Sequence, residues 1–270
     1  MNIDELKALR RRNWRQDGER LLATSDDAAP FIEEVGIATL YAASPEFPSL
    51  MLAHVGKESY VADAKWDSPS GFVYGWRWEL GRPAAAFYTS IVAKKPTWVS
   101  WSLLPIVLAA LMTRRDPEEL YEAGELTRDG LRVYQALRAA PGLMSTGDLR
   151  ASAGFPKGKE SRAAYLKAVE ELESHLLLAK VFACDGSGDE MCHSAIADRY
   201  PEVVESALSL SREHAIRSLL SNQLDHSAFV DPATFSRHLR LPAALVEGSL
   251  TELGARPLSD GKRTIYALEN

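Results

Sequence analysis

The fold is decided by residues 127–197, which read TRDGLRVYQALRAAPGLMSTGDLRASAGFPKGKESRAAYLKAVEELESHLLLAKVFACDGSGDEMCHSAIA. Apolar residues recur every three or four positions in three runs, and Pro141-Gly142 and Gly154-Phe155-Pro156 separate these runs. The pattern therefore predicts three helices. The first is predicted from Thr127 to Arg138, and Ser145 is predicted to cap the second because its side-chain oxygen can accept a hydrogen bond from a free backbone N–H.

The third helix and the segment after it complete the pattern. Ser161 is predicted to cap this helix, and the segments Leu177 to Ala183 and Met191 to Ala197 are predicted to pair as strands across a turn at residues 185–189. Three helices followed by a hairpin is the order of a winged helix-turn-helix, whose third helix often enters the DNA major groove. The same architecture also serves as a protein-binding module, so the fold alone does not decide the function.

A second copy of this order follows towards the C-terminus. Tyr200-Pro201 begins a connecting helix, and Glu213 to Leu220 is predicted as the first helix of the copy. Asp231-Pro232 and Leu241-Pro242 begin two more helices, and residues 257–268 are predicted to form the hairpin. The two copies share little sequence identity, so the repeat is one of architecture.

The N-terminal part gives a mixture of helix and strand signals. The sequence predicts a strand from Ile37 to Ala42, a helix from Leu50 to Val55 and a second helix from Ala84 to Val92. Thr97 to Trp101 is predicted as a further strand, after which Ser102 caps the last helix of this part. The predicted fold class is therefore α+β, with tandem winged helix-turn-helix domains behind an N-terminal mixed α/β domain.

An acidic stretch between Asp116 and Asp129 indicates where the first domain ends. The predicted domains are residues 1–126, 127–200 and 201–270. The first is expected to be a mixed domain with aromatic-rich strands, and the other two are expected to be winged helices.

Aromatic residues are concentrated just after the middle of the first domain. Phe72, Tyr74, Trp76 and Trp78 alternate along the chain, a spacing that places all four on one face of a strand. Such a face can stack unpaired bases. The favoured interpretation is a core face, because large rings bury the most apolar area per residue.

Composition limits the classes of function. The chain of 270 residues is 46% hydrophobic and 25% charged, as in ordinary globular proteins, and its net charge of -6 argues against tight sequence-independent binding of nucleic acid. Any DNA site must therefore be local. The apolar stretch Trp98 to Met112 is too short to cross a bilayer, and no leader pattern is recognised at the amino terminus, so no membrane partner and a cytoplasmic location are predicted.

The central domain carries the cations expected of a DNA surface. They lie around the predicted third helix, at Arg150, Lys157, Lys159, Arg162 and Lys167. Most lie towards the amino-terminal end of that helix, where base and phosphate contacts are usually made. The third helix of the last domain, Ala243 to Leu253, contains Glu247 and Glu252 and no cation, so it is predicted to serve packing or to bind a protein partner.

A basic helix at the amino terminus is a second candidate for phosphate contacts. Its cations are Lys7, Arg10, Arg11, Arg12 and Arg15. Of these, Arg10, Arg11 and Arg12 are the residues we expect to help the central domain to hold DNA. The alternative is a solvated helix face that packs Leu6 and Leu9 inward, as most charge runs do.

Sequence patterns for metal or cofactor chemistry are weak. Cys184, Cys192 and His193, with Asp185 or Asp189, offer zinc-like ligand types, but they lack the close cysteine pairs of structural zinc sites. There is no glycine-rich phosphate loop followed by lysine and no pair of histidines four apart around a glutamate. The prediction is that the protein uses neither a metal nor a cofactor.

Several segments together resemble the AlkZ-related branch of the bacterial AlkZ/YcaQ crosslink-repair DNA glycosylases. They are residues 31–36 (FIEEVG), residues 94–100 (KKPTWVS) with Leu104-Pro105, and residues 164–181 ahead of Tyr200-Pro201. The resemblance spans most of the chain and rests on framework segments, so it concerns the fold more than the activity. It implies tandem winged-helix domains and a role on DNA.

The chain departs from this family where the resemblance implies catalysis. Active relatives carry a glutamine, an apolar residue and then a glutamine or aspartate on the strand after the glycine that corresponds to Gly36. Here Thr39 and Tyr41 fall at those positions, and neither can position an attacking water as a carboxylate or carboxamide does. A triplet with the right letters, Gln223-Leu224-Asp225, lies in the last domain and is interpreted as a coincidence.

The sequence therefore predicts a protein of the winged-helix glycosylase-like family that binds duplex DNA and lacks the usual base-excision motif. Two alternatives stay open at this point. One is an active DNA glycosylase that hydrolyses the N-glycosidic bond of alkylated or crosslinked bases with other residues. The other is a winged-helix scaffold that binds protein.

Overall fold

The computed structural model describes residues 1–61, 63, 65–140, 142–182, 191–259, 261 and 263–269. Among them, no helix has the length and apolar character needed to cross a membrane. The predicted turn at residues 185–189 lies outside the described residues, as do Cys184 and part of the C-terminal hairpin turn.

The N-terminal part has the same element order as the central unit. After α1 (Ile3–Asn13), its elements are α2 (Ser25–Val35), β1 (Ile37–Thr39), α3 (Leu50–Val55), α4 (Pro69–Gly81), β2 (Phe87–Val92) and β3 (Lys95–Val99). The strands form an antiparallel sheet in the order β1-β3-β2. This part is thus a winged helix in which α2, α3 and α4 are the three helices and β2-β3 is the hairpin.

The predicted aromatic strand is wrong, because its residues form helix α4. Ser68 accepts a hydrogen bond from the backbone N–H of Gly71 at 3.3 Å, and Pro69 occupies the first turn, where its missing N–H costs nothing. On a helix the alternating rings point in different directions. Trp76 is consequently buried, whereas Phe72 is exposed.

Two further N-terminal predictions need correction. The segment predicted as a helix from Ala84 to Val92 contains strand β2, which is rich in aromatic and β-branched residues and pairs with β3. The last helix of this part, α5 (Leu104–Leu111), is not capped by Ser102; Ser100 Oγ instead accepts from the backbone N–H of Leu103 at 3.3 Å. The helix predicted from Leu50 to Val55 is confirmed as α3.

The three helices and the two hairpin strands predicted for the central unit are present, and the structure adds a short strand before the second helix. After α6 (Pro117–Glu122), its elements are α7 (Arg128–Ala139), β4 (Met144–Ser145), α8 (Thr146–Ser152), α9 (Lys159–Ser174), β5 (Leu178–Val181) and β6 (Cys192–Ala195). Ser145 caps α8, as predicted, by accepting from the Asp148 N–H at 3.1 Å. The predicted Ser161 cap is wrong, because α9 begins after Gly158, which adopts a φ of 143°. The sheet order is β4-β6-β5.

The C-terminal unit repeats the order once more. Its elements are α10 (Ile196–Arg199), α11 (Pro201–Ser209), α12 (Arg212–Ser227), α13 (Pro232–Leu239), α14 (Ala243–Glu252), β7 (Arg256–Ser259) and β8 (Thr264–Ala267). Asp231 caps α13, as predicted, through the Thr234 N–H at 3.1 Å. A bridge between Val230 and Tyr266 takes the place that β1 and β4 hold in the other two sheets.

One of the hydrophobic clusters extends across all three units. A single cluster of buried apolar residues joins β2 and α5 of the first unit, Ile196 of the segment that follows β6, and α12 and α14 of the last unit. At Gly36 a Cβ atom would lie 2.6 Å from the Leu103 side chain and 2.9 Å from that of Asn222, and its φ is 79°. The domain boundaries at residues 126 and 200 stay predictions, because this cluster crosses both.

Candidate functional site

Thr39 is the first residue to locate, because it falls where active relatives carry a catalytic side chain. It lies on β1 and is completely buried. Its Oγ1 donates a hydrogen bond to the Pro48 carbonyl at 3.2 Å, and its backbone N–H donates to the same oxygen at 2.9 Å. The Thr39 hydroxyl is therefore enclosed in the core and bonded to the backbone.

Tyr41, at the second of these positions, lies at the edge of a cavity. Its hydroxyl donates to the Ser70 carbonyl at 2.9 Å, and partial burial raises the pKa of the phenol, with the nearby Arg77 acting in the opposite direction. The phenol therefore stays protonated near neutral pH. It can orient a ligand by hydrogen bonding but does not supply a base for water activation.

The cavity beside Tyr41 has a volume of about 200 Å³. Its walls are Tyr41, Asp63, Lys65, Trp66, Ser70, Gly71 and Tyr74, and we call it the aromatic cavity. The rings of Trp66 and Tyr74 meet edge to face with centroids 5.6 Å apart. Sequence reasoning missed this cavity, although the Ser68-Pro69 helix start was a signal that Tyr74 lies on a helix and not in a flat ladder.

The Gln223-Leu224-Asp225 triplet forms part of α12. Gln223 is buried, and its amide donates to the Glu46 carbonyl and, at 2.7 Å, to Ser227 Oγ. Asp225 is exposed on the same helix. The triplet is thus a packing feature between α12 and the loop that contains Glu46.

Arg10 is not available to DNA, which corrects its assignment as a phosphate contact. Its guanidinium is buried and donates to the carbonyl oxygens of Ser227, Pro45 and Phe229 as well as to the Glu46 carboxylate, at 3.3 Å for the closest pair. Burial raises the pKa of Glu46, and the attraction of Arg10 opposes that rise. The buried pair and the Arg10 hydrogen bonds hold α1 against the C-terminal unit. This contact joins residues distant in the sequence, so the local sequence pattern could not predict it.

The other two N-terminal candidates stay at the surface. Arg11 lies 3.5 Å from Glu58 in a solvent-exposed ion pair, which contributes little to stability. Arg12 is exposed, and within the described part of the chain it forms no ion pair.

The amino-terminal end of α9 presents three exposed cations, Lys157, Lys159 and Arg162. None of them pairs with a carboxylate among the described residues. The positive end of the α9 helix dipole points the same way, so this end attracts anions. Arg150 differs from these three, because it donates to the carbonyl oxygens of Pro156 at 2.5 Å and Gly158 at 3.0 Å and so shapes the loop that precedes α9.

The rest of α9 has a different electrostatic character. Lys167 lies in a groove that also contains five carboxylates, at Glu125, Asp129, Glu160, Glu170 and Glu171. The C-terminal half of α9 packs on the first unit, where Glu173 accepts from Ser90 Oγ at 3.4 Å and Glu170 pairs with Lys94 at 3.3 Å. Lys167 therefore lies among carboxylates, one of which, Glu160, belongs to the first turn of α9.

The third helix of the last unit, α14, has no cation. Glu247 and Glu252 are exposed on it, and Glu252 pairs with Arg217 of α12 at 3.1 Å. Of the metal-ligand types noted in the sequence, Cys184, Asp185 and Asp189 lie outside the described residues. The described residues contain no group of three such side chains close enough to hold one ion.

Comparison with known proteins places these features in a family. The family model described as AlkZ related matches residues 22–237. Among solved structures, the DNA glycosylase AlkZ of Streptomyces sahachiroi is similar, with a TM-score of 0.60 and 11% identity over 99% of this chain and 70% of that protein. No curated protein sequence matches the chain. At this identity the solved structure confirms the fold class, and the family match covers well over half of the sequence, so the chain belongs to the AlkZ-related family.

Proposed function

We propose that this protein binds duplex DNA through the amino-terminal end of α9 and does not excise bases at the strand after Gly36. The observation that carries the binding proposal is the set of three exposed, unpaired cations at the start of α9. In helix-turn-helix proteins this end of the third helix contacts bases and phosphates. The similar Streptomyces protein is a DNA glycosylase by name, which favours DNA as the partner of this chain too.

The absence of base excision is proposed from the surroundings of Thr39 and Tyr41. Excision of a base requires a water held against the sugar by a polar group with a free lone pair. Thr39 Oγ1 is buried and bonded to a backbone carbonyl, and Tyr41 is a protonated phenol that donates to Ser70. Thr39 Oγ1 is closed off from solvent, and the Tyr41 phenol is too weak a base to activate a water.

The test of binding is charge reversal at the start of α9. Changing Lys157, Lys159 and Arg162 to glutamate is expected to weaken duplex binding and to flatten its salt dependence. Each lost phosphate contact removes about 0.9 from the slope of log K against log salt, so the triple variant loses roughly 2 to 3 units of slope. Mobility shift over a range of salt concentrations measures both quantities.

The matched control lies on the third helix of the last unit. Replacing Glu247 and Glu252 with glutamine removes both acidic charges of the equivalent helix and is expected to change neither affinity nor slope. Equal effects from the two sets of substitutions would reject the assignment to α9. Release of abasic sites from alkylated or crosslinked DNA by the unaltered protein, abolished by substitution of Tyr41, would reject the absence of excision.

A further inference from the structure

The aromatic cavity lies next to the largest exposed rings of the described chain. Trp66 is 75% exposed and Phe72 is 57% exposed, and Val61, a few residues earlier, is almost fully exposed. Leaving rings of this size in water forfeits the favourable free energy of their burial. A concentration of exposed apolar side chains on one segment indicates a binding surface.

The chemistry of the cavity favours a flat, neutral ring as its ligand. Tyr41, Trp66 and Tyr74 supply aromatic walls, while the Asp63 carboxylate and the Lys65 ammonium supply an acceptor and a donor at the rim. Asp63 and Lys65 are opposite in charge, and the Arg77 guanidinium, which stacks on the Tyr74 ring 4.1 Å from its centroid, does not line the cavity. A nucleobase has a π-face for stacking and an edge with both donors and acceptors, which matches this set of groups.

The cavity is also held in place before any ligand arrives. Ser68 caps α4 and donates to the Lys65 carbonyl at 2.6 Å, which fixes the segment that carries Trp66. Ser70 Oγ accepts from the Asp63 N–H at 3.2 Å, and the Ser70 carbonyl accepts from Tyr41. A site that is already ordered loses less conformational entropy on binding.

The small number of exposed apolar side chains near the aromatic cavity favours a single base as the ligand over a second protein. A stable protein interface buries roughly 800 Å² on each partner, and contains about 20 to 30 residues a side. The exposed apolar side chains of this segment are Val61, Trp66 and Phe72, and of these Trp66 lines the concave cavity. A concave wall of rings suits a small planar group better than a broad protein face.

We propose that the aromatic cavity binds an unpaired nucleobase, which stacks on Trp66 while Asp63 and Lys65 contact its edge. This inference rests on the proposed function, because it assigns the unpaired base to the DNA that α9 holds. The paired part of the duplex contacts the cations at the start of α9, and a base that has left the DNA double helix enters the aromatic cavity. The base is retained by stacking, and no bond is broken.

The experiment compares a short duplex that has one bulged thymidine with the same duplex fully paired. The unaltered protein is expected to bind the bulged duplex more tightly. Trp66→Ala is expected to reduce affinity for the bulged duplex by roughly 5- to 150-fold, the range for loss of one base–aromatic stack, and to leave the paired duplex unchanged. Trp66→Phe retains a ring and is expected to restore most of the preference.

The matched control is Tyr121→Ala, which removes a 42% exposed ring of α6 that is not part of the cavity. It is expected to leave both affinities unchanged. If Trp66→Ala lowers the affinity for both duplexes equally, or for neither, base stacking is rejected. A protein then becomes the occupant of the cavity to test. If the unaltered protein binds the paired duplex without preferring the bulge, only this inference fails. If it binds neither duplex nor a single strand, the DNA-binding function itself fails.

Discussion

The N-terminal and central winged helices have the same element order and the same strand order, yet their third helices carry different chemistry. Helix α4 presents Phe72 to solvent and places Tyr74 in the aromatic cavity, whereas α9 begins with Lys157, Lys159 and Arg162 exposed around its first turns. The fold therefore determines where a third helix lies. The side chains on it determine whether it is suited to a base or to a phosphate.

The two units also differ in what surrounds them. Opposite faces of the N-terminal sheet enter two separate hydrophobic clusters, with Ala38 and Trp98 in one and Ile37 and Val99 in the other. The helices of the central unit instead enclose a core of their own, built around Tyr165 and Leu172. Substitutions in the first unit should therefore affect the whole molecule, whereas those at the start of α9 should remain local.

The largest effect is expected for Trp76→Ala on α4. Trp76 is 4% exposed and its ring meets His54 edge to face at 5.2 Å, so truncation leaves a cavity in the core. The expected loss in free energy of unfolding is about 3–5 kcal/mol, measured by denaturant titration. Phe72→Ala on the exposed side of the same helix should cost far less. Intact stability together with weakened single-stranded DNA binding would show that Trp76, and not only Trp66, faces the ligand.

The contrast between the two units also explains why the sequence predicted the elements of one correctly and those of the other only in part. The three helices and two strands of the central unit were predicted because their sequence signals are local, such as the cap at Ser145 and the helix-breaking pair Pro141-Gly142. In the first unit, the alternation of aromatic residues from Phe72 to Trp78 favoured a strand. The segment forms a helix instead, because Ser68 caps it and Pro69 fits its first turn. Arg10 was misassigned because its partners at Glu46 and Ser227 are distant in sequence. Local sequence patterns reveal helix caps, but they do not reveal which side chains are buried by residues distant in the sequence.

A pH titration should distinguish the two sheets. His193 on β6 is buried, with its Nε2 3.1 Å from Thr146 Oγ1, and burial lowers the pKa of its imidazole to about 4, with Lys180 adding to the effect. The strands of the N-terminal sheet contain no histidine. Because the unfolded chain binds this proton more tightly, the stabilisation is complete above about pH 6.5 and is lost as the pH falls towards 4.

The full loss from His193 amounts to about 3 kcal/mol. Hydrogen exchange at neutral and mildly acidic pH should show the central strands losing protection before β2 and β3. His193→Gln removes the titrating group and should flatten this part of the stability profile, whereas the exposed His214→Gln should not. An unchanged profile in the His193 variant would show that His193 does not cause the acid sensitivity. The buried carboxylates Glu46 and Glu173 cannot cause it either, because burial raises their pKa values and their protonation favours the folded state.

A smaller effect is expected when the glutamine of active relatives is placed at Thr39. The site is fully buried, so the longer side chain must displace its neighbours, and we expect a loss of roughly 1–3 kcal/mol in free energy of unfolding. No base excision should appear. Thr39→Ser retains the hydroxyl that bonds to Pro48 and serves as the control. A stable Thr39→Gln protein that releases abasic sites would mean that the strand opens to a substrate after all.

The smallest effect compares two lysines within α9. Lys159 lies at the positive end of the helix and is unpaired within the described chain, whereas Lys167 lies in the groove with five carboxylates. That acidic groove repels phosphates, so Lys167→Glu should change duplex affinity little. Lys159→Glu should remove one contact and lower the salt slope by about 0.9. Because the two substitutions make the same change in charge, any difference between them comes from position alone. A larger loss for Lys167 would place the DNA along the acidic groove, and not at the start of α9.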